Sequence, residues 1–154
     1  MFTRHSRPGP LLAAVIVAAS VASGCVATAD EPSALDALLA DVDEDVTTTG
    51  ELFAFLGIDP DSEVDTDQIR SRFDDAGAEH LDGPLNDEEL AHAALVACGL
   101  ITRANELGTG AADFVARYVG AGVEAGMTET EANLALTVNA ETVCPGEWAE
   151  LNSR

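Results

Sequence analysis

The chain has 154 residues, of which 47% are hydrophobic, and its 28 acidic residues far outnumber its 7 basic ones, all arginine. The net charge of −21 argues against nucleic acid as a partner, because binding the phosphate backbone requires a basic face. The hydrophobic fraction excludes a wholly disordered chain. Aromatic residues make up only 5%, so the core has to consist mainly of alanine, leucine and valine.

Residues 1–24 are predicted to be a lipoprotein signal peptide. Arg4 and Arg7 form a basic start, and the stretch 11–19 is uninterruptedly apolar. The residues Ala22-Ser23-Gly24-Cys25 resemble a bacterial lipobox, in which lipid is attached to the cysteine and the signal is cut just before it. The resemblance implies that Cys25 is lipidated, with fatty acids such as palmitate, and that this lipid anchors the protein to the membrane.

Two other interpretations of this segment stay open. Ala27-Thr28-Ala29 is an A-x-A site, and cleavage after Ala29 would release a freely secreted protein beginning at Asp30. The apolar stretch could instead remain as an anchor, although it has about half the roughly 20 residues that a spanning helix needs. All three interpretations place the protein outside the cytoplasm, and the lipobox places it on the extracytoplasmic face of the cell membrane.

Cysteine usage agrees with export. Once Cys25 is lipidated or removed, Cys98 and Cys144 remain as an even pair in an oxidising compartment, where a disulfide is expected. In the chain-entropy treatment such a loop stabilises the fold by roughly 4 kcal/mol. A reactive thiol is the alternative interpretation, but no arginine or histidine stands beside either cysteine to activate it.

Charge and composition divide the chain after the signal peptide into a tether and a domain with two unequal halves. Residues 25–32 are small, polar and acidic and suit a short lipidated tether, and residues 33–154 are predicted to form a single helical domain. The first half of this domain, 33–89, is strongly acidic and is interpreted as a solvated region. The core helices are expected within 90–148.

Three helices are predicted in the acidic half. Ser33 begins one that runs to Val42, and the short apolar segment from Glu51 is closed by Gly57. A third helix begins after Asp65 or Thr66. Its inward-facing residues, by their helical spacing, are Ile69, Phe73 and Ala76.

Three longer helices are predicted in the second half. Asn86 with Glu89 forms a capping box before the first, and Thr128 with Glu131 forms another before the third, which Pro145 ends. Thr109 is predicted to cap the helix between them. The expected inward residues are Leu90, Ala94, Ala97, Cys98, Phe114, Val115, Tyr118 and Val119. No strand pattern occurs, so the predicted fold class is all-α, a small helical bundle with one disulfide.

The chain resembles a known family at Phe55-Leu56-Gly57-Ile58, at Cys98, at Phe114-Val115 and at Val143-Cys144-Pro145. This pattern is similar to the actinobacterial domain-of-unknown-function family 732, a group of small secreted proteins and lipoproteins. The match runs from Leu52 to Trp148, with the acidic stretch 59–87 as a longer insertion. The resemblance implies a small helical extracytoplasmic domain with one disulfide, and it implies no activity.

No metal or cofactor is predicted. Asp59, Asp61, Glu63, Asp65 and Asp67 alternate along the chain, but an EF-hand starting at Asp59 would need glycine and glutamate where this chain has Val64 and Arg70. Weak, non-specific binding of divalent cations by this stretch stays open. His80 and His92 lie in no zinc-ligand spacing.

No catalytic constellation is predicted either. His92 and Cys98 are six residues apart, which separates them by about 120° around a helix. Trp148 is interpreted as core packing rather than as an anchor for a partner. The sequence therefore predicts a non-enzymatic lipoprotein of the cell envelope, an interaction or accessory module whose partner is an unknown envelope protein or small ligand. The alternative functions are a small-molecule or cation carrier, or a freely secreted protein.

Overall fold

The computed structural model describes residues 49–154, and every regular element among them is a helix. The predicted all-α class is therefore confirmed for this part of the chain. The helices, numbered in chain order, are α1 (Thr49–Leu56), α2 (Thr66–Asp75), α3 (Glu79–Asp82), α4 (Asp87–Leu107), α5 (Ala111–Glu124), α6 (Glu129–Val143) and α7 (Pro145–Asn152). None of the helices in the described residues is both long and apolar enough to cross a membrane.

Several predictions concern residues outside the described part of the chain. These are the signal peptide at 1–24, the lipidation of Cys25, the tether at 25–32 and the helix from Ser33 to Val42. They stay predictions.

The short helix α1 ends as its glycine predicts. Gly57 has φ +67°, a left-handed conformation that glycine adopts without the steric cost of a Cβ atom. This turn lets the backbone N–H of Ile58 donate to the carbonyl of Phe53 at 2.8 Å. Beyond it, Ile58 lies against α4 at Gly99, where a Cβ atom would come within 2.6 Å of Ile58 Cδ1. The missing side chain at Gly99 thus permits the close approach of this segment to α4.

Helix α2 begins at the predicted cap but ends earlier than its apolar pattern suggests. Asp65 accepts a hydrogen bond from the backbone N–H of Gln68 at 2.9 Å, and Phe73 is fully buried. The prediction that Ala76 faces the core is wrong, because Ala76 follows the last helical turn and is exposed. The chain turns there, and Ala78 is buried instead.

Both predicted capping boxes are confirmed. The side chain of Asn86 accepts from the backbone N–H of Glu89, while the Glu89 carboxylate accepts from the backbone N–H of Asn86, both at 2.9 Å. Thr128 and Glu131 make the same reciprocal pair before α6, at 3.2 and 2.7 Å. Each box satisfies two backbone donors that the helix itself leaves unpaired.

The predicted cap of α5 is wrong by one residue. Gly110, not Thr109, precedes the helix, and it provides no side-chain cap. Thr109 is already used by the end of α4, where its N–H donates to the carbonyl of Ala104 at 2.9 Å. Gly108, with φ +68°, makes this closing turn possible.

Helices α3 and α7 were not expected from the sequence. Pro145 ends α6, as predicted, but it also occupies the first turn of α7. Proline is well suited to that position, because its missing N–H would have had no partner in the helix. Cys144 therefore lies at the junction between α6 and α7.

The interior consists of two clusters of buried residues, and α4 and α6 contribute to both. The first cluster is Leu52, Phe53, Val96, Cys98, Leu100, Ile101, Ala104, Phe114, Ala121, Leu136, Ala140, Cys144 and Leu151. The second cluster is Ile69, Phe73, Ala78, Leu81, Leu85, Leu90, Ala94, Val119, Met127, Ala132, Ala135 and Val138. Phe53 and Phe73 show that the acidic half also supplies large core side chains.

Helices α5 and α6 pack on each other and are joined by a short turn. They approach closely at Gly122, where a Cβ atom would lie 2.7 Å from the Cβ of Ala132. The turn contains Gly126 with φ +100°. Close contact here depends on glycine opposite alanine, as the abundance of small residues predicts.

Candidate functional site

The structure brings Cys98 and Cys144 together in a disulfide, with Cα atoms 5.9 Å apart. Cys98 lies in the middle of α4 and Cys144 at the α6–α7 junction, so the bond joins the longest helix to the C-terminal part of the bundle. Both residues are buried. Because their sulfurs are bonded to each other, neither provides a free thiol for nucleophilic chemistry. The third site residue, Cys25, lies outside the described residues.

Arg70 on α2 organises the segment that contains α3. Its guanidinium donates to the carboxylate of Asp82 and to that of Asp87, both at 3.0 Å, and to the carbonyl of Leu85 at 2.9 Å. The pKa of Arg70 is raised, chiefly by the hydrogen bond to Asp87; burial opposes this shift and Asp82 reinforces it. We call Arg70, Asp82, Leu85 and Asp87 the Arg70 network.

Two further side chains of the acidic half, Arg72 and His80, make polar contacts with α6. Arg72 on α2 forms an ion pair with Glu141 and donates to the hydroxyl of Thr142 at 3.2 Å. His80 on α3 lies 2.7 Å from the carboxylate of Glu131. The pKa of Glu131 is lowered, first by the backbone N–H of Thr128 and then by His80. These side chains connect α2 and α3 to α6.

The acidic stretch 59–67 leads into α2. Asp59 accepts the backbone N–H of Asp61 at 3.0 Å, and Asp65 caps the helix. Carboxylates at this place are favourable because the helix N-terminus carries partial positive charge. Within the described residues, no group of three or more histidine, cysteine, aspartate or glutamate side chains is placed to hold a metal ion.

The histidines of the described domain lie apart. The ring of His92 packs edge-on against Phe53, with ring centroids 5.1 Å apart. His80 is at the surface beside Glu131. Cys98 is committed to its disulfide, so the arrangement provides no cysteine–histidine pair.

Aromatic and apolar side chains near the surface are the remaining candidates for partner contact. Trp148 is half-buried and packs against the first cluster, in line with the packing interpretation. Tyr118 packs against the same cluster, and burial raises the pKa of its hydroxyl to about 12. Leu107 and Val123 are the most exposed large hydrophobic residues of the described chain, at 52% and 43%. They are at the C-terminal ends of two different helices, α4 and α5.

Helix α7 is held at the end of α4 by polar contacts that the sequence pattern did not predict. The side-chain amide of Asn105 donates to the carbonyl of Glu147 at 3.0 Å. Arg154 donates to the carbonyl of Asn105 at 2.9 Å and pairs with Glu150 at 2.7 Å. The C-terminal end of α4 is thereby covered by the last residues of the chain.

One polar residue lies deep in the interior without a partner. Asn139 on α6 is fully buried, and neither its amide nitrogen nor its amide oxygen has a hydrogen-bond partner. The sequence does not single out Asn139, because the helical spacing of α6 shows only that this position faces inward. An apolar side chain is the usual residue at such a position, and asparagine here was the one available signal.

Comparison with protein-family models found no match. Neither characterised proteins nor solved structures gave one. The resemblance to family 732 therefore stays a prediction that depends on the residues quoted above.

Proposed function

We propose that the protein is a lipid-anchored accessory module of the cell envelope, without enzymatic activity, that acts by contact with another envelope component. The observation that carries the proposal is the combination of a lipobox ending at Cys25 with a disulfide between the other two cysteines. Both features belong to exported proteins. In this proposal Cys25 anchors the protein to the membrane, and the disulfide between Cys98 and Cys144 stabilises its fold.

The distance between anchor and domain supports a module that works close to the membrane. From Cys25 to the start of α1 at Thr49 the chain has 24 residues. Such a segment spans at most about 80–85 Å even when fully extended. The described domain therefore begins within this distance of the membrane surface, which favours a partner in the membrane or in the adjacent layer of the envelope.

Anchorage is tested by mass spectrometry of the mature N-terminus together with detergent partitioning. We expect lipid on Cys25 and recovery of the protein in the detergent phase, because acyl chains contribute about 0.8 kcal/mol per buried CH₂. The Cys25→Ser variant should stay an uncleaved precursor. Ala29→Leu is the matched control, since it removes the alternative A-x-A site and should change nothing. A mature, unmodified N-terminus at Asp30 would show instead that the protein is freely secreted.

The accessory role is tested by cross-linking in intact cells. We expect a defined partner to be cross-linked by the anchored protein and to be lost, at equal expression, when the lipobox is replaced by a cleavable secretory signal. The carrier alternative predicts a different result, which is a bound small molecule in native mass spectrometry of the protein purified from its host. Retention of a stoichiometric ligand would favour the carrier over the accessory module.

A further inference from the structure

One face of α4 is covered by α1 over only part of its length. Gly99, Arg103 and Leu107 follow one another at intervals of four residues and so share this face. At Gly99 a Cβ atom would lie 3.0 Å from the Cβ of Leu56, and the guanidinium of Arg103 is 5.3 Å from the ring centre of Phe55. One turn further on, Leu107 is 52% exposed.

The side chains that cover this face are themselves accessible. Phe55, Leu56 and Ile58 are half-buried and pack against the first cluster with their inner sides. Together with Arg103 and Leu107 we call them the α1–α4 patch. Neighbouring apolar side chains at a surface, with a charged group among them, are typical of a place where another segment packs.

The chain just before α1 has an apolar face of its own. A helix is predicted over residues 33–42, and a helix of this length is only marginally stable by itself in water. Its large apolar residues are spaced by three and four positions and therefore share one side of the helix. These residues are Leu35, Leu38, Leu39 and Val42. Such a helix is stabilised by a surface against which it can bury this side.

The charge of this part of the chain is complementary to Arg103. Residues 33–48 contain no arginine and five acidic residues, Asp36, Asp41, Asp43, Glu44 and Asp45. The guanidinium of Arg103 has five N–H donors in a planar arrangement that suits carboxylates, and its side chain is 26% exposed. Charges further away than about 10 Å are largely screened by salt, so the distant carboxylates of the domain oppose this pairing only weakly.

The connection to α1 keeps the segment beside the patch. Six residues separate Val42 from Thr49, and they span at most about 20 Å. Phe55 lies only about 9 Å further along α1. A segment tethered this closely meets the patch at an effective concentration in the millimolar range, so that a second molecule has to compete with it. Connectivity therefore favours the chain's own segment as the occupant.

We propose that residues 33–42 dock as a helix on the α1–α4 patch, with their leucines against Phe55 and Leu107 and their carboxylates beside Arg103. The docking goes beyond the proposed function, because it does not depend on lipid at Cys25. In the anchored protein, and resting on that proposed function, docking would shorten the free tether to the 8 residues between positions 25 and 33. These span at most about 25–30 Å, which would hold the domain near the membrane.

Hydrogen exchange of the protein purified from its host, followed by mass spectrometry, tests the docking. We expect the amides of residues 33–42 to exchange at least fivefold more slowly than those of an unstructured chain. This protection should be independent of protein concentration, and it should persist when the lipobox is replaced by a cleavable secretory signal. Exchange at the unstructured rate would overturn the proposal.

Two other results would assign the segment to a different occupant and would also overturn the proposal. Protection that rises with protein concentration would indicate a second copy of the chain. Protection that is found in the lipidated protein in detergent but is lost in the secreted form would indicate the lipid phase. Loss of the lipid with unchanged protection would leave the docking intact and contradict only the proposed anchorage.

Variants of the apolar contact locate the surface. Leu107→Asp places a charge in the patch and should speed exchange in residues 33–42 at least fivefold. Leu38→Asp should do the same from the other side of the contact, and it changes no residue of the described domain. Val123→Asp is the matched control, because Val123 is 43% exposed but lies on α5, and exchange should stay within twofold of the native rate. If Leu38→Asp or Leu107→Asp behaves like this control, the proposal is wrong.

Variants of the cation test the charge complementarity. Arg103→Gln should speed exchange in residues 33–42 by about two- to fivefold at low salt, as expected for an accessible ion pair, and by less at high salt. Arg117→Gln is the matched control, because Arg117 is a half-buried arginine on α5. Equal exchange in these two variants would overturn the assignment of Arg103 to the docking site.

Discussion

The two halves of the described domain reach the same kind of structure by different means. In residues 49–89 the helices are short, with 8, 10 and 4 residues, and they are held in place by arginines that connect them to carboxylates and carbonyls. In the second half three of the four helices are longer, with 21 residues in α4, 14 in α5 and 15 in α6, and they are held by small-residue packing and a disulfide. The acidic half depends on a few cations, and the second half depends on a covalent bond.

This difference follows from composition. The many carboxylates of the acidic half repel one another, and this repulsion lowers the stability of the fold. Arg70 and Arg72 each lie beside carboxylates and offset it, so they contribute more to stability than their number suggests. The second half is rich in alanine, which allows close packing but buries little area per residue. A disulfide compensates for this small area.

Removal of the disulfide should have the largest effect. We expect the double variant Cys98→Ser/Cys144→Ser to lose about 2–5 kcal/mol in its free energy of unfolding, measured by urea denaturation, because its unfolded chain is no longer constrained. Reduction of the native protein should give the same loss, which controls for the serine side chains. Labelling of two free thiols in the native, unreduced protein would contradict the bond itself.

Removal of the cation from the Arg70 network should have the next largest effect. Arg70→Met leaves Asp82, which is only 4% exposed, without its cation, and we expect a loss of about 1.5–3 kcal/mol. Thermal or urea unfolding measures this loss. The double variant Arg70→Met/Asp82→Leu is the control and should recover part of it, because no buried carboxylate is then left unpaired. Equal losses in the single and double variants would show that the ion pair is not the cause.

Local signals in the sequence predicted much of the described structure. The capping residues Asn86 and Thr128 and the closing glycine Gly57 each act within a few residues, so their pattern can be seen directly in the chain. The disulfide was predictable because Cys98 and Cys144 are an even pair once Cys25 is assigned to the predicted lipidation. The prediction failed where one residue serves two elements: Thr109 completes α4 and so is not the cap of α5, and Pro145 both ends α6 and begins α7.

Contacts between distant residues could not be predicted. Arg70 and Asp87 are 17 positions apart and His80 and Glu131 are 51 apart, and no local pattern indicates either pair. Helix α3, with 4 residues, is too short to show a helical period. Asn139 becomes distinctive only once its burial in the packed bundle is known. The predicted lipidation concerns Cys25, which lies in the part of the chain that the structure does not describe.

The contact between the halves at Glu131 should make stability sensitive to acid. The pKa of Glu131 is lowered from its ordinary value of 4.5, so its folded state binds the proton less readily than the unfolded state does. This contribution is fully present above about pH 4.5 and is lost as the pH falls through the lowered value. Glu131→Gln should remove it at a cost of about 0.3–1 kcal/mol near neutral pH, typical of a charge near a helix N-terminus, because glutamine can still accept the N–H of Thr128 in the capping box. Melting curves of both proteins between pH 7 and pH 3 should converge at low pH; a constant difference would contradict the assignment.

The smallest loss of stability is expected when Arg72 is replaced. The comparison with the nearby Arg70 tests whether burial decides how strongly an arginine stabilises the acidic half. Its side chain and that of Glu141 are about one third exposed or more, at 35% and 42%, so solvent screens their ion pair. We expect Arg72→Met to cost about 0–1 kcal/mol, as exposed ion pairs usually do, against the larger loss at Arg70. Added salt should shrink the effect at Arg72 more than that at Arg70, because the Asp82 carboxylate in the Arg70 network is buried. Urea unfolding of both variants at low and high salt measures this, and equal losses would mean that burial does not decide the strength of these contacts.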